Sequence, residues 1–307
     1  MKITNGEKID RVFIIKNYEV KSKKNGGNYL DLTLLDKDNS IKGKLWSIHS
    51  KPDFAPMDLR RIVGTVTEYG GQLQLVISQI LPVVEGDIDI AEFVPSEDID
   101  ADAEMQHILD VIQSFVNEDL KVLTESIVNY YADKLRYTCG AVSCHHSGRY
   151  GLLSHTSEML YTAEAVCDIY PCINRDLLLT GVILHDIGKI EEIDSCDLGI
   201  AEKYTPKGNL LGHLVMGAMI VDRACDSYAI PDEIRTTVQH MLVSHHGKPE
   251  YGAAKVPMIL EAQVLNLIDD LSAKIYEFNS ATENIDPGTF SPKIFALGNI
   301  QVYKPEI

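Results

Sequence analysis

No two of the six cysteines (Cys139, Cys144, Cys167, Cys172, Cys196 and Cys225) stand at C-x-x-C spacing, which argues against a zinc knuckle. Their scatter suits free thiols in a reducing compartment. No uninterrupted apolar run reaches the roughly 20 residues of a membrane helix. The stretch Met1-Lys2-Ile3-Thr4-Asn5-Gly6-Glu7 has no apolar centre of a secretion signal. The expected setting is therefore the cytoplasm, with no membrane partner. A basic surplus is missing as well: 28 Lys+Arg face 45 Asp+Glu, a net charge of −17. Residues 1–90 carry 13 basic and 12 acidic groups, so the remainder carries 15 against 33, and the whole deficit lies there. An acidic surface repels a polyanion at long range. Nucleic-acid binding would have to work through local Lys/Arg, the near-neutral N-terminal part and bound cations.

What is present divides in two, as 307 residues with 45% hydrophobic content allow. Residues 10–80 read as five short strands: Val12–Ile15, Tyr29–Leu34, Ile41–Trp46, Ile62–Tyr69 and Gln72–Ile77. The second and third alternate as half-buried strands do. Turn clusters at Lys24–Asn28, Asp36–Asn39 and Gly70-Gly71 separate them. Five strands in this length fit a small closed barrel, placed at residues 1–84. Residues 85–104 hold nine acidic groups and no Lys or Arg, with Pro95 among them, and read as an acidic linker. From there the pattern turns helical, giving an all-α bundle over 105–307. Helices are expected over 103–116, 118–135, 151–169, 174–187, 209–228, 231–245 and 257–278. Pro231 and Pro257 fall where first-turn prolines belong, and Gly247 where a helix-ending glycine belongs.

The chemistry gathers on the helical part. Gly181-Val182-Ile183-Leu184-His185-Asp186-Ile187-Gly188-Lys189-Ile190 delivers an adjacent His–Asp pair from an apolar run. On a continuing helix, His185, Asp186 and Lys189 share one face. Buried unpaired, these groups are costly; a divalent metal would satisfy the first two and a phosphate the third. A His–Asp dipeptide alone arises often by chance, so the rest of the chain decides. Eight of the ten histidines lie between 145 and 246. His155, His185 with Asp186, His213, His245 and Asp269 each come from one of five successive helical segments, and a bundle can converge such groups in its core. Nitrogen and oxygen donors suit Mn, Co, Fe or Ni above Mg. Structural zinc sites favour Cys, which is absent from this set. His240 reads as a core histidine.

The order His, then His–Asp, then Asp resembles the HD superfamily of metal-dependent phosphohydrolases. A longer likeness runs through Gly151-Leu152-Leu153-Ser154-His155-Thr156, Asn174–Lys189, Tyr204-Thr205-Pro206-Lys207-Gly208 with Gly212-His213-Leu214, and Ser244-His245-His246-Gly247. With it, nearly the whole chain resembles the YhaM-type 3′→5′ exoribonucleases. The N-terminal strands, by the Asn-Gly-Gly turn before Tyr29, the Gly43-Lys44-Leu45-Trp46 strand and the Tyr69–Leu75 hairpin, resemble OB-fold domains that bind single strands. That likeness makes Tyr29, Trp46 and Tyr69 candidate stacking platforms, with Lys42 and Lys44 beside them. A barrel-core or barrel-end position is the competing reading for Trp46, and protection of a sheet edge is the competing reading for the lysines.

The resemblance implies two divalent metal ions: one held by His155, His185, Asp186 and Asp269, the second by Asp186, His213 and His245. A hydroxide bridging them would attack the terminal phosphodiester, with Lys189 neutralising a phosphoryl oxygen. It also implies that His145, His146 and His246 touch phosphate or brace the ligands, with Arg149 a further phosphate candidate. The chain departs from the family pattern at Arg149-Tyr150, at Lys248 and at Ser272, where Asp is common. The implied partner is single-stranded RNA ahead of DNA, with a homo-oligomer compatible. Two other readings stay open: HD chemistry on a small nucleotide with the barrel serving regulation or assembly, and a binding module with a structural metal. Release of nucleotides from single strands, compared with turnover of free nucleotides, separates the first two.

Overall fold

A computed structural model describes residues 3–23, 25–36, 40–48, 50–83, 93–140, 148–196 and 198–307. It divides the chain into two compact units, Met1–Pro95 and Ser96–Ile307.

The first unit is a closed five-stranded barrel of the OB type, in the order β1-β2-β3-β5-β4. β1 (Lys8–Ser22) is long enough to serve two neighbours. Its first half pairs with β4 (Leu59–Tyr69) and its second with β2 (Asn28–Leu35), with a register shift between Ile15 and Asn17. Such an irregularity lets one strand bend around a barrel. β3 (Ser40–Ile48) runs antiparallel to β2 and parallel to β5 (Gln72–Pro82), which closes the cylinder and leaves no free edge. Alternation sends Leu30, Leu32 and Leu34 inward to pack with Phe13, Ile15, Ile62, Val66 and Leu75.

The second unit is helical: α1 (Ala101–Gln113), α2 (Glu118–Tyr137), α3 (Gly151–Ile169), α4 (Arg175–Leu184), α5 (Lys189–Glu192), α6 (Pro206–Tyr228), α7 (Asp232–Ser244) and α8 (Leu260–Glu283). Their apolar faces meet in one core that includes Ile108, Leu123, Leu153, Leu160, Leu179, Val182, Met241 and Leu265. Two buried carboxylates tie the connections. Asp176 accepts from the amides of Val116 and Asn117 at 2.7 and 2.8 Å, and Glu261 accepts from the amide of Asn174. Among the described residues, no helix is long and apolar enough to cross a membrane.

Several features differ from the sequence expectation. α1 starts at Ala101, inside the stretch read as linker; Asp100 caps it by accepting from the amides of Asp102 and Ala103, and Val94 is fully buried. The 174–187 helix stops at Leu184, and His185–Gly188 form a turn before α5. α6 starts three residues early at Pro206, capped by Thr205. Between α5 and α6 lies a small hairpin, β6 (Ile193–Ser195) with β7 (Ala201–Tyr204), that periodicity did not reveal. α8 begins at Leu260, so Pro257 precedes the helix rather than opening it. Pro231 occupies the cap position of α7.

Candidate metal centre

Asp186 lies at the middle of a buried polar cluster. Its Oδ2 is 2.7 Å from Lys189 Nζ and 3.3 Å from His185 Nε2; its Oδ1 is 3.4 Å from His213 Nε2 and 3.8 Å from His245 Nε2. His155 Nε2 stands 3.3 Å from His185 Nε2 and 3.2 Å from Asp269 Oδ1. α3, the α4–α5 turn, α6, the end of α7 and α8 therefore each deliver a group to one place. The turn after α4 does what a continuing helix would not: it packs Gly188 directly onto α6, where a Cβ would stand 2.1 Å from the His213 carbonyl oxygen. On α6, Gly212 breaks the helix at φ +72°, a left-handed conformation that suits glycine, immediately before His213.

The rings are fixed from behind. His185 Nδ1 lies 2.7 Å from the Val182 carbonyl, His245 Nδ1 2.8 Å from the Leu242 carbonyl and His246 Nδ1 2.9 Å from the Tyr251 carbonyl. His213 Nδ1 is 3.0 Å from Glu192 Oε2, and Glu192 Oε1 accepts from the His213 amide at 3.1 Å. Carbonyls and carboxylates only accept, so each of these rings donates from Nδ1. His155 Nδ1 meets Ser272 Oγ at 3.2 Å; that hydroxyl donates onward to Glu158 Oε2, so it too accepts from the ring. With Nδ1 engaged in this way, each of the five rings in its neutral form presents a bare Nε2 lone pair inward, as metal ligands do.

Lone pairs facing lone pairs and a carboxylate are unfavourable without a cation. Asp186 Oδ1, His213 Nε2 and His245 Nε2 are buried and have no hydrogen-bond partner. The donor set therefore fits a metal, and two separate groups could each hold one: His155, His185 and Asp186, and His213, His245 and His246, with ligand atoms within 4.8 Å of one another in each. His246, read from sequence as a phosphate contact or brace, lies beside the other two rings of the second group.

Charge states agree with this picture. Burial pushes His155 down to about 4 and His245 to about 3. Burial works to lower His185 too, but the adjacent Asp186 carboxylate outweighs it and raises the ring. Burial opposes ionisation of Asp186, yet Lys189 and His185 hold it well below the usual carboxylate range. Asp269 is likewise lowered against its burial, chiefly by His155.

His145 and His146 lie outside the described residues. Arg149 packs over Tyr150 and Tyr137, with ring centroids 4.8 and 5.8 Å from its guanidinium carbon. His240 accepts from the Met258 amide rather than joining the cluster. Sequence reasoning missed Glu192, Glu158 and Ser272 as braces, although Glu192 continues the helical spacing of His185 and Lys189.

In the barrel, Trp46 is 43% exposed, which sets the core reading aside. Its ring stacks at a tilt on Tyr29, centroids 4.9 Å apart. Lys44 Nζ lies 5.4 Å from the Trp46 ring and 5.8 Å from that of Tyr69, which is 74% exposed. Lys42 Nζ donates to Thr33 Oγ1 on β2.

Residues 152–274 match the HD domain family. The chain is 35% identical over 303 residues to the 3′-5′ exoribonuclease YhaM of Bacillus subtilis, covering 98% of this chain and 96% of that protein. The YhaM exoribonucleases of Bacillus licheniformis and Listeria welshimeri are 34% and 33% identical over the same length and coverage.

Proposed function

Because this chain belongs to the YhaM family of 3′-5′ exoribonucleases, we propose that it removes nucleotides one at a time from the 3′ end of single-stranded RNA. The observation that supports this most is the trio of buried, unpartnered acceptors, Asp186 Oδ1, His213 Nε2 and His245 Nε2. They make sense around divalent cations, and the exoribonuclease relatives favour a catalytic over a structural use of those cations. His155, His185, Asp186 and Asp269 would hold one ion, and Asp186, His213, His245 and His246 a second. A bound pair supplies Lewis-acid polarisation of the phosphoryl group and a water made nucleophilic near neutral pH.

The protein's own groups do the rest. Lys189, its ammonium raised by Asp186 against the effect of burial, holds a fixed positive charge next to the centre. It stabilises negative charge that develops on a phosphoryl oxygen. Glu192, Ser272 with Glu158, and the Val182 and Leu242 carbonyls hold the rings in the ligating tautomer. Tyr29, Trp46, Tyr69 and Lys44 offer stacking faces and a cation to the strand upstream of the cut end.

The test is a 5′-labelled single-stranded RNA incubated with the chain and Mn, with free nucleotides as parallel substrates. A ladder shortening from the 3′ end, absent in Asp186→Asn, is the expected result, and elemental analysis should find close to two metal ions per chain. Turnover of free nucleotides with no shortening of RNA would instead establish a small-nucleotide phosphohydrolase.

A further inference from the structure

Outside the metal centre, a cleft of about 580 Å³ opens between α2 and α6. This lies within the roughly 300–1,000 Å³ typical of small-molecule sites. Its floor is apolar, from Ile127, Ile220 and Ala224, and Tyr130, Tyr131 and Tyr228 contribute to its lining. Tyr130 is 80% and Tyr228 54% exposed, so both rings have faces that no protein group covers. The charged groups of the lining are two cations, Lys207 and Arg223, and one carboxylate, Glu191. This leaves a net positive cleft in the half of the chain that carries 33 acidic against 15 basic groups.

The cations are held but not used up. Glu191 accepts from Lys207 Nζ at 3.0 Å, from Arg223 Nη2 at 3.1 Å and from the Tyr131 hydroxyl at 2.5 Å. A guanidinium has five N–H donors and an ammonium three, and Glu191 takes one from each. The remaining donors sit beside exposed aromatic faces and the Ser126 and Ser227 hydroxyls. Cations for a phosphate, hydroxyls for a sugar and tyrosine faces over an apolar floor for a base describe one class of ligand.

We propose that this cleft is a second ligand site, separate from the metal centre, and that it binds a mononucleotide. Glu191 sets the cations in place and tempers their charge. It also shares the single turn of α5 with Glu192, which braces His213, so the cleft backs directly onto a helix of the catalytic centre. The inference does not depend on the exonuclease reading, since it concerns binding of a probe and no turnover.

Calorimetric titration of adenosine 5′-monophosphate into the metal-free full chain tests it. Lys207→Ala, Arg223→Ala and Tyr228→Ala should each weaken binding at least tenfold. Glu191→Gln should tighten it, a gain that misfolding cannot produce. Asp186→Asn and Trp46→Ala, which alter the metal centre and the barrel patch, should leave it within twofold. Adenosine and inorganic phosphate alone should each bind more weakly than the nucleotide. Unchanged affinity in the cleft variants, loss of binding in Asp186→Asn or Trp46→Ala, or weaker binding in Glu191→Gln would overturn the assignment. Equal binding of inorganic phosphate would overturn the nucleotide class.

Discussion

Replacing Glu192 should damage metal binding although Glu192 is not itself a ligand. Its two oxygens accept from His213 Nδ1 at 3.0 Å and from the His213 amide at 3.1 Å, and the side chain is largely buried. In Glu192→Ala both donors lose their partner. The ring, now held only by its own rotamer, no longer keeps Nε2 aimed at Asp186. A hydrogen bond to a charged group contributes about 1.5–3 kcal/mol, and loss of such braces typically weakens metal affinity by about 10–100-fold. These agree, since that range corresponds to about 1.4–2.8 kcal/mol. Glu192→Gln keeps one acceptor but sets an amide donor against an N–H, so its loss should be smaller. The assay is titration of metal-free protein with Mn, normalised to the folded fraction. The ion shared by His213 and His245 should weaken while the one near His155 and Asp269 changes little. Affinities within twofold of the parent for both ions, in both variants, would refute the brace.

Three further outcomes follow from the geometry. Gly188→Ala should lower metal content and stability together, because its Cβ would meet His213 O at 2.1 Å and Gly217 N at 2.8 Å and push α6 away; metal analysis and thermal melting check this. Trp46→Ala should weaken long single strands by about 1–3 kcal/mol, leaving metal content and cleavage of very short oligonucleotides unchanged; equal loss on both lengths would mean that the patch supports the fold. Acid should destabilise the metal-free chain. His155 and His245 are held at about 4 and about 3 against an ordinary 6.5, so the unfolded chain takes up protons that the native one resists. Their contribution is complete above pH 6.5 and is lost as pH falls through 6.5 toward 4 and 3. His185, which is raised, contributes in the opposite sense, and His246, which burial lowers, acts in the same sense as the two rings. Melting temperatures that hold level or rise from pH 7 to pH 5 would refute neutral burial of the two rings.

The barrel was legible because alternation is a direct imprint of a two-faced strand: Leu30, Leu32 and Leu34 are buried as their spacing demands. The start of α1 was not, because Asp100 caps a helix with the same residue type that marks a solvated linker. The end of α4 was hidden because nothing in Leu184-His185-Asp186-Ile187 marks a helix end; the turn there goes with the packing of Gly188 on α6, a long-range contact no local pattern reports. In the centre, histidines and aspartates announce themselves by rarity and spacing. Their braces do not. Glu192 follows another glutamate and reads as surface charge, and Ser272 stands 117 positions from the ring that it holds. Candidate ligands were visible one residue at a time, whereas tautomers are a property of pairs.

The same distinction bears on the acidic surplus. Counted along the chain, 33 acidic groups against 15 basic ones oppose a polyanion. At the centre, however, the carboxylates are already committed: Asp186 to Lys189 and the rings, Asp269 to His155, Glu192 to His213 and Glu158 to Ser272. Exposed charges farther away are screened beyond about 10 Å at 0.1 M salt. What an incoming phosphate meets is therefore set by groups within that distance: Lys189, whose ammonium stands beside the ligand set, and the cations that the bare nitrogens are arranged to hold. Long-range repulsion then slows encounter more than it weakens the bound state. On the proposed reading, a near-neutral barrel with Lys44 between Trp46 and Tyr69 would suit that problem, because stacking would capture a strand by forces that salt and distant charge scarcely alter.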